Sequence, residues 1–362
     1  MSSSNLTVAP VPEFFARLVA WQRRDGRSGL PWQGTRDPYR VWLSEIMLQQ
    51  TQVATVLGYY PRFIERFPDV RALAAASQEE VLALWSGLGY YSRARNLHRC
   101  AQDVVEHWDG VFPASAQQLQ TLPGIGRSTA AAIAAFCFGE RISILDGNVK
   151  RVLSRLLAFD GDLAVAAQER RLWDLAQDLL PAAPSPDEMV AWTQGLMDLG
   201  SSLCARSRPD CAPCPGADLC RARAQGRSAE FPVRTRKLKR STIEWWWFIL
   251  CRGDGAIWLE RRPENGIWAG LYSLPTHAAR AEGLTAFGGE AALLREHDTV
   301  RHTLTHRDLV LRPLELDAAR ARLQEATASA PAAPGLWVSR RAELDIGLPA
   351  PLRSLLERLL PA

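Results

Sequence analysis

A chain of 362 residues is long enough for two or three domains, and its 47% hydrophobic and 23% charged residues are the make-up of an ordinary folded globular protein. Its 43 Lys and Arg against 39 Asp and Glu leave a net charge of only +4, too little to mark a nucleic-acid binder by itself. The opening MSSSNLTVAP lacks the basic and apolar stretches of a secretory signal, and the apolar run TAAAIAAFCF at 129–138 is too short to span a bilayer, so a cytoplasmic (cytosol or nucleoid) location and no membrane partner are expected.

Up to residue 220 the chain reads as mainly helical. Apolar residues recur at helical spacing over Glu13–Arg23, Val41–Leu57, Gln78–Leu84, Ser92–His107 and Ala116–Leu122, then over Arg127–Phe138, Asn148–Leu157, Glu169–Leu180 and Asp187–Cys204. Pro- and Gly-bearing breaks at 67–69, 87–89, 112–113 and 181–186 separate them. The stretch 221–240 follows, with Arg221, Arg223, Arg227, Arg234, Arg236, Lys237, Lys239 and Arg240 against the lone acid Glu230. It reads as a basic interdomain linker with the option of phosphate contact. Beyond it the pattern changes to strands. Ile243–Cys251 is aromatic and β-branched, 252–255 is a turn, and Ala256–Arg261 completes a hairpin. Val300–Leu316 reads as interrupted strand and Pro349–Leu360 as a closing helix. The expected organisation is a helical region 1–220, the linker 221–240 and a separate α+β domain 241–362.

Three segments carry chemistry. In PYRVWLSEIMLQQTQV (38–53), Glu45 stands among Val41, Trp42, Leu43, Ile46 and Met47. A carboxyl so surrounded is costly to ionise, and the raised pKa that follows suits a general acid. The polar run Gln49–Gln52, with Gln50 and Thr51, offers uncharged groups for bases. Next, Leu122-Pro123-Gly124-Ile125-Gly126 joins two helical segments. Two glycines about one apolar residue permit a tight turn whose N–H groups face outward at a helix start, where the dipole favours phosphate. Twenty residues on, Asp146 stands at a helix N-cap position in ILDGNVKRV, and capping and catalysis are compatible roles. Finally, Cys204, Cys211, Cys214 and Cys220 are spaced C-x6-C-x2-C-x5-C, while Cys100, Cys137 and Cys251 are scattered. Four thiolates complete either a zinc or an iron–sulfur site; with only one C-x2-C hook the spacing favours a [4Fe–4S] cluster. Arg206, Arg208, Arg221 and Arg223 flank it, where a pinned loop presents them to phosphates.

The cysteine spacing and the LPGIG turn resemble the endonuclease III, helix–hairpin–helix superfamily of DNA glycosylases. Within it the chain resembles the adenine DNA glycosylase (MutY) family, through LPWQ (30–33), PYRVWLSEIMLQQTQVATV (38–56), LWSGLGYYSRARNLH (84–98), LPGIGRSTAAAI (122–133), ILDGNVKRV (144–152) and MDLGSSLC (197–204). NGIWAGLYSLP (265–275) and RHTLTH (301–306) resemble the family's Nudix-like C-terminal domain. The resemblance implies excision of adenine mispaired with 8-oxoguanine or guanine in double-stranded DNA, after the base is flipped out, by a monomeric enzyme. It implies that Glu45 protonates adenine, that Asp146 stabilises the oxocarbenium-like sugar, and that Asn148 holds the water or the Asp146 carboxylate. Trp32 and Gln194 match the adenine pocket. Gln50 and Tyr90 match residues that wedge into the base stack. Leu122, Gly124, Gly126, Ser128 and Lys150 fall at the hairpin and helix start expected to meet DNA, with Thr51, Thr305 and His306 completing the contacts. Where the lyase branch carries a lysine nucleophile this chain has Ser128, so a monofunctional glycosylase is expected. Two departures stand out. The family's Phe-Ser-His becomes Leu304-Thr305-His306, keeping hydroxyl and imidazole but not the aromatic ring. The stretch 288–298 (GGEAALLREHD) lacks the glutamate spacing of a Nudix hydrolase, so the C-terminal domain is expected to recognise the lesion and not to hydrolyse nucleotides. The rivals are an endonuclease III-like lyase and a catalytically dead DNA-binding or redox module; Ser128 opposes the first and the pair Glu45 and Asp146 the second.

Overall fold

A computed structural model describes residues 11–235, 240–319, 321 and 335–362; Arg236, Lys237 and Lys239 of the basic stretch lie outside the described residues. By contact, the chain divides into two compact units, one of Met1–Ala74 with Arg99–Lys237 and one of Ala75–His98 with Leu238–Ala362. Residues 75–98, read from sequence with the N-terminal helices, thus group with the C-terminal part.

The helices run α1 (Val11–Asp25), α2 (Pro38–Leu48), α3 (Val53–Arg66), α4 (Val70–Ala75), α5 (Gln78–Trp85), α6 (Ser92–His107), α7 (Ala116–Leu119), α8 (Arg127–Phe138), α9 (Gly147–Leu157), α10 (Ala166–Asp178), α11 (Pro186–Ser201) and α12 (Arg221–Ala224). Their starts follow the capping chemistry of the sequence. Asp37 accepts the Tyr39 N–H at 2.9 Å ahead of α2, with Pro38 at its first position, and Ser185 with Glu188 closes a capping box on α11. The helix expected over Val41–Leu57 is two helices: α2 stops at Leu48, α3 starts at Val53, and Gln50 between them has φ 57°. The polar run Gln49–Gln52 has no apolar side chain with which to continue the buried stripe, so the chain turns there. The core of the first unit is built on the inner faces of α1, α8, α9, α10 and α11, through Phe14, Leu18, Leu153, Trp173, Trp192 and Leu196. α9 and α11 approach closely: a Cβ on Gly200 would lie 2.6 Å from the Asn148 Cβ, so only glycine fits.

The second unit holds α5, the first half of α6, and β1 (Ser241–Cys251), β2 (Ile257–Arg261), β3 (Tyr272–Ser273), β4 (Thr276–His277), α13 (Arg280–Ala286), β5 (Leu293–Glu296), β6 (Val300–Thr303), β7 (Arg307–Asp317), β8 (Gly335–Val338) and α14 (Ala350–Leu359). The sheet order is β3-β2-β1-β7-β5, with β4 on β1, β6 on β7 and β8 on β2. The β1–β2 hairpin forms as expected, and β1 then pairs with β7 in parallel from Ser241↔Arg307 to Cys251↔Asp317. The expected strand 300–316 is the hairpin β6–β7, whose turn is Leu304-Thr305-His306, closed by the Leu304 N–H on the Arg307 carbonyl at 2.7 Å. Among the described residues no helix is long and apolar enough to cross a membrane.

Candidate active site

Glu45 lies in the third turn of α2, half-buried between fully buried Trp42, Leu43, Ile46 and Met47. Burial, and after it the negative charge of Asp146, push its carboxyl up to about 8. Asp146 reaches the same place from another element. It ends the apolar segment Ile144-Leu145, whose side chains are buried, and caps α9 by accepting the Val149 N–H at 2.7 Å. Burial raises its carboxyl above the usual value; the N–H groups of Val149 and Asn148, then Arg151 and Lys150, pull the other way. The two carboxyls therefore differ in kind. Glu45 sits among apolar side chains with a like charge nearby, whereas Asp146 sits on helix N–H donors facing cationic neighbours. Burial raises both carboxyls, and only Asp146 has helix N–H donors and cationic neighbours that favour its ionised form.

α8 holds this pair together. The Ser128 hydroxyl accepts the Leu145 N–H at 3.2 Å, fixing the residue before Asp146, and Thr129 Oγ1 accepts from Gln49 Nε2 at 3.3 Å, tying down the turn after α2. Ahead of α8, the turn 122–126 buries Leu122 and Ile125 and leaves Gly124 and Gly126 exposed, with Gly124 at φ 77° and Gly126 as N-cap. The Ile125 N–H closes the turn on the Leu122 carbonyl at 3.2 Å, and Gly126 brings no side chain to cap the first N–H groups of α8. Lys150 is paired with Glu169 of α10 at 2.6 Å, and the Asn148 amide oxygen accepts from Arg151 at 2.9 Å. Trp32, largely buried, packs edge-on to Tyr60 with ring centres 5.3 Å apart.

Two groups escaped the sequence reading. Asp198 on α11, 1% exposed, accepts from Arg27 Nε at 2.6 Å, from the Arg27 N–H at 3.0 Å and from Gln194 Nε2 at 2.8 Å, so it anchors the segment leading to Trp32 and turns Gln194. No local pattern pairs residues 27 and 198. Arg155, 3% exposed on α9, donates to the carbonyls of Ala205 at 2.8 Å, Arg206 at 3.0 Å and Ser228 at 2.9 Å, and lies 3.3 Å from Cys204 Sγ. Its one sequence signal was the pair Arg151 and Arg155, one turn apart on the apolar helix α9. Arg151 donates to the Cys204 carbonyl at 2.9 Å.

Cys204, Cys211, Cys214 and Cys220, all half-buried, line one cavity with Phe14, Val152, Leu156 and Leu199. Burial pushes the Cys214 thiol up to about 11, and the Cys220 thiol is raised for the same reason. Among the described residues no three Cys, His, Asp or Glu side chains converge on a point as a single metal ion requires. A four-iron cluster makes a different demand, one sulfur on each of four irons around a shared volume. Four soft donors on one apolar cavity, with Arg155 beside Cys204, fit such a group.

In the second unit, Tyr90 has φ 48° and is 44% exposed, and its hydroxyl lies 3.0 Å from Thr305 Oγ1 in the β6–β7 turn. His306 beside it is exposed, its carbonyl accepting the Ser241 N–H at 3.2 Å.

Comparison with known proteins matches two stretches of the chain. Residues 43–178 match the profile of the HhH-GPD superfamily of base excision DNA repair proteins, and residues 246–358 match that of the NUDIX domain. An adenine DNA glycosylase of Buchnera aphidicola (subsp. Baizongia pistaciae) is 32% identical over 351 residues, 96% of each chain. The Homo sapiens adenine DNA glycosylase is 45% identical over 225 residues, covering 60% of this chain and 40% of that one. Among solved structures, a thermostable thymine-DNA glycosylase superposes with a TM-score of 0.52 at 26% identity, covering 59% of this chain and 97% of that one.

Proposed function

The chain belongs to the adenine DNA glycosylase family, and from that premise we propose how its residues perform base excision. As a DNA N-glycosylase of base excision repair it acts on adenine, and the substrate we assign is adenine opposite 8-oxoguanine or guanine in a DNA duplex. The observation that carries the reading is the contrast between Glu45, pushed up to about 8, and Asp146, held on the N–H groups of α9. Glu45 delivers its proton to the extruded adenine at N7. The glycosidic bond then breaks with its electron pair leaving on the base, Asp146 stabilises the sugar cation, and water adds at C1′, its surplus proton restoring the Glu45 carboxyl. Trp32 and Gln194 bound the adenine pocket, with Arg27 and Asp198 holding its wall. The hairpin 122–126, with Ser128 and Lys150, takes a phosphate; Lys150 exchanges Glu169 for DNA. Gln50, Thr51 and Tyr90 enter or border the base stack, and Thr305 and His306 face the lesion. Asn148 supports the start of α9 through Arg151.

Ser128 cannot form a Schiff base, and its hydroxyl already serves Leu145; excision is therefore monofunctional. Cys204, Cys211, Cys214 and Cys220 would hold a [4Fe–4S] cluster, which supplies a rigid brace for the loop carrying Arg206 and Arg208. The domains we assign are 1–220, the linker 221–240 and the Nudix-like 241–362, in a monomer working on DNA in the cytoplasm. The test is a Glu45→Gln variant on a duplex with adenine opposite 8-oxoguanine: binding is expected to survive and excision to vanish. A variant that excises at the unsubstituted rate would remove Glu45 from the mechanism.

A further inference from the structure

The turn between α5 and α6, Ser86-Gly87-Leu88-Gly89-Tyr90-Tyr91, is held in an unfavourable backbone shape. Gly87 and Gly89 lie at φ 100° and 72°, and Tyr90, a bulky L residue, at φ 48°. Such a conformation persists only where its surroundings over-determine it, and Arg93 and the Leu348 carbonyl both hold it here.

Arg93 lies in the first turn of α6 and is 8% exposed. Its N–H donates to the Tyr90 carbonyl at 2.8 Å, and its Nη2 donates to the carbonyls of Leu88 and Gly89, both at 3.2 Å. The same guanidinium lies 5.4 Å from the centre of the Tyr90 ring and 5.3 Å from that of Trp85, and the Trp85 indole N–H donates to the Gly89 carbonyl at 3.1 Å. The second hold is one carbonyl, that of buried Leu348, just ahead of α14. It accepts the Tyr91 hydroxyl at 2.8 Å and the Ser86 hydroxyl at 3.0 Å, while the Gly87 N–H donates to the Tyr91 hydroxyl at 3.2 Å. Arg353 of α14 donates to Ser86 Oγ at 3.2 Å and to the carbonyls of Leu344 and Ile346 at 2.8 and 3.2 Å, fixing the segment that presents Leu348.

We infer that Arg93 is a positioning residue for mispair recognition: it acts through Tyr90, presetting the exposed ring for insertion into the duplex, with the Leu348 carbonyl as its counterpart. A C-terminal segment remote in sequence from Thr305 and His306 thereby contributes to the recognition of DNA without touching it. The inference rests on the reading of Tyr90 as a residue that enters the base stack. A planar guanidinium reaches two carbonyls while lying against a ring; a lysine ammonium keeps the charge but not that fork.

The experiment compares Arg93→Lys, Tyr90→Leu and the double variant in the full-length chain. It measures equilibrium binding to a duplex with adenine opposite 8-oxoguanine, and single-turnover excision at saturating enzyme. A 2-aminopurine next to the 8-oxoguanine reports ring insertion by its fluorescence. Tyr90→Leu should weaken binding about tenfold, the scale of one lost base–aromatic stack. Arg93→Lys should weaken binding in the same direction, lower the 2-aminopurine response, leave the saturated excision rate within about twofold, and add nothing once Tyr90 is leucine. Tyr91→Phe, which removes one hydroxyl from the Leu348 carbonyl, should give a smaller loss of the same kind and stands in if Arg93→Lys fails to fold. Multiplying effects of Arg93→Lys and Tyr90→Leu, or an unchanged 2-aminopurine response in Arg93→Lys and Tyr91→Phe, would overturn the inference while sparing the reading of Tyr90. Unaltered binding by Tyr90→Leu would overturn both.

Discussion

Glu45→Gln keeps the width of the side chain and its place in α2 while removing the proton it can transfer. A carboxyl at the ordinary 4.5 is protonated in roughly one molecule in 300 at pH 7, whereas one pushed up to about 8 is about nine-tenths protonated. The single-turnover rate on an adenine mispair should therefore stand near its maximum around neutral pH and fall about tenfold per pH unit above roughly pH 8. On the acid side it should fall as Asp146, raised by burial, takes up a proton. The assay is quenched-flow excision from an end-labelled duplex, with enzyme in excess, between pH 5 and 9.5. Glu45→Gln should lose at least about 100-fold in rate and lose the alkaline limb with it. A stability corollary has its own sign. The folded-state value of Glu45 lies above the unfolded one, so the folded chain is penalised as pH rises from about 4.5 through about 8 and stays penalised above it. At pH 8.5 the Gln variant should resist denaturant better by about 1–3 kcal/mol, a gap that closes toward pH 5. An alkaline limb retained at the same midpoint in Glu45→Gln would refute the assignment.

Other substitutions separate structure from chemistry. Asp146→Asn keeps a capping oxygen, so it should change stability by less than about 0.5 kcal/mol while lowering excision at least about 100-fold; Asp146→Ala should in addition cost about 1 kcal/mol in thermal denaturation. Arg155→Met strips the donor from the carbonyls of Ala205, Arg206 and Ser228. It should cost about 3–5 kcal/mol and lower the iron bound per chain, read by denaturation and metal analysis. Removing the proposed [4Fe–4S] cluster by oxidation should weaken duplex binding and leave the far-ultraviolet helical signal largely in place. Because Ser128 offers no amine, strands should stay intact after excision until alkali is added, as a denaturing gel with and without alkali will show.

Much of this was legible in the sequence because it is local. The cap at Asp146, the turn 122–126, the end of α8 at Phe138 and the β1–β2 hairpin are each written in a few adjacent residues, and each forms as read. The apolar setting of Glu45 was legible from its neighbours Trp42, Leu43, Ile46 and Met47. Two kinds of feature were not. Gln50 breaks a helix that the apolar period carries through to Leu57, since periodicity registers the stripe and not the gain from turning a polar run. Long-range polar contacts leave no local trace: Asp198 serves Arg27, Arg155 serves carbonyls fifty and more residues on, and Leu348 receives the hydroxyls of Ser86 and Tyr91.

The most direct test is base release by the purified chain, under single-turnover conditions, from three duplexes: adenine opposite 8-oxoguanine, adenine opposite guanine, and thymine glycol opposite adenine. Free adenine from the first two, none from Glu45→Gln, and an untouched thymine glycol duplex are expected. Release of thymine glycol with adenine retained in both mispairs would contradict the assignment of Glu45 and Asp146 to adenine excision.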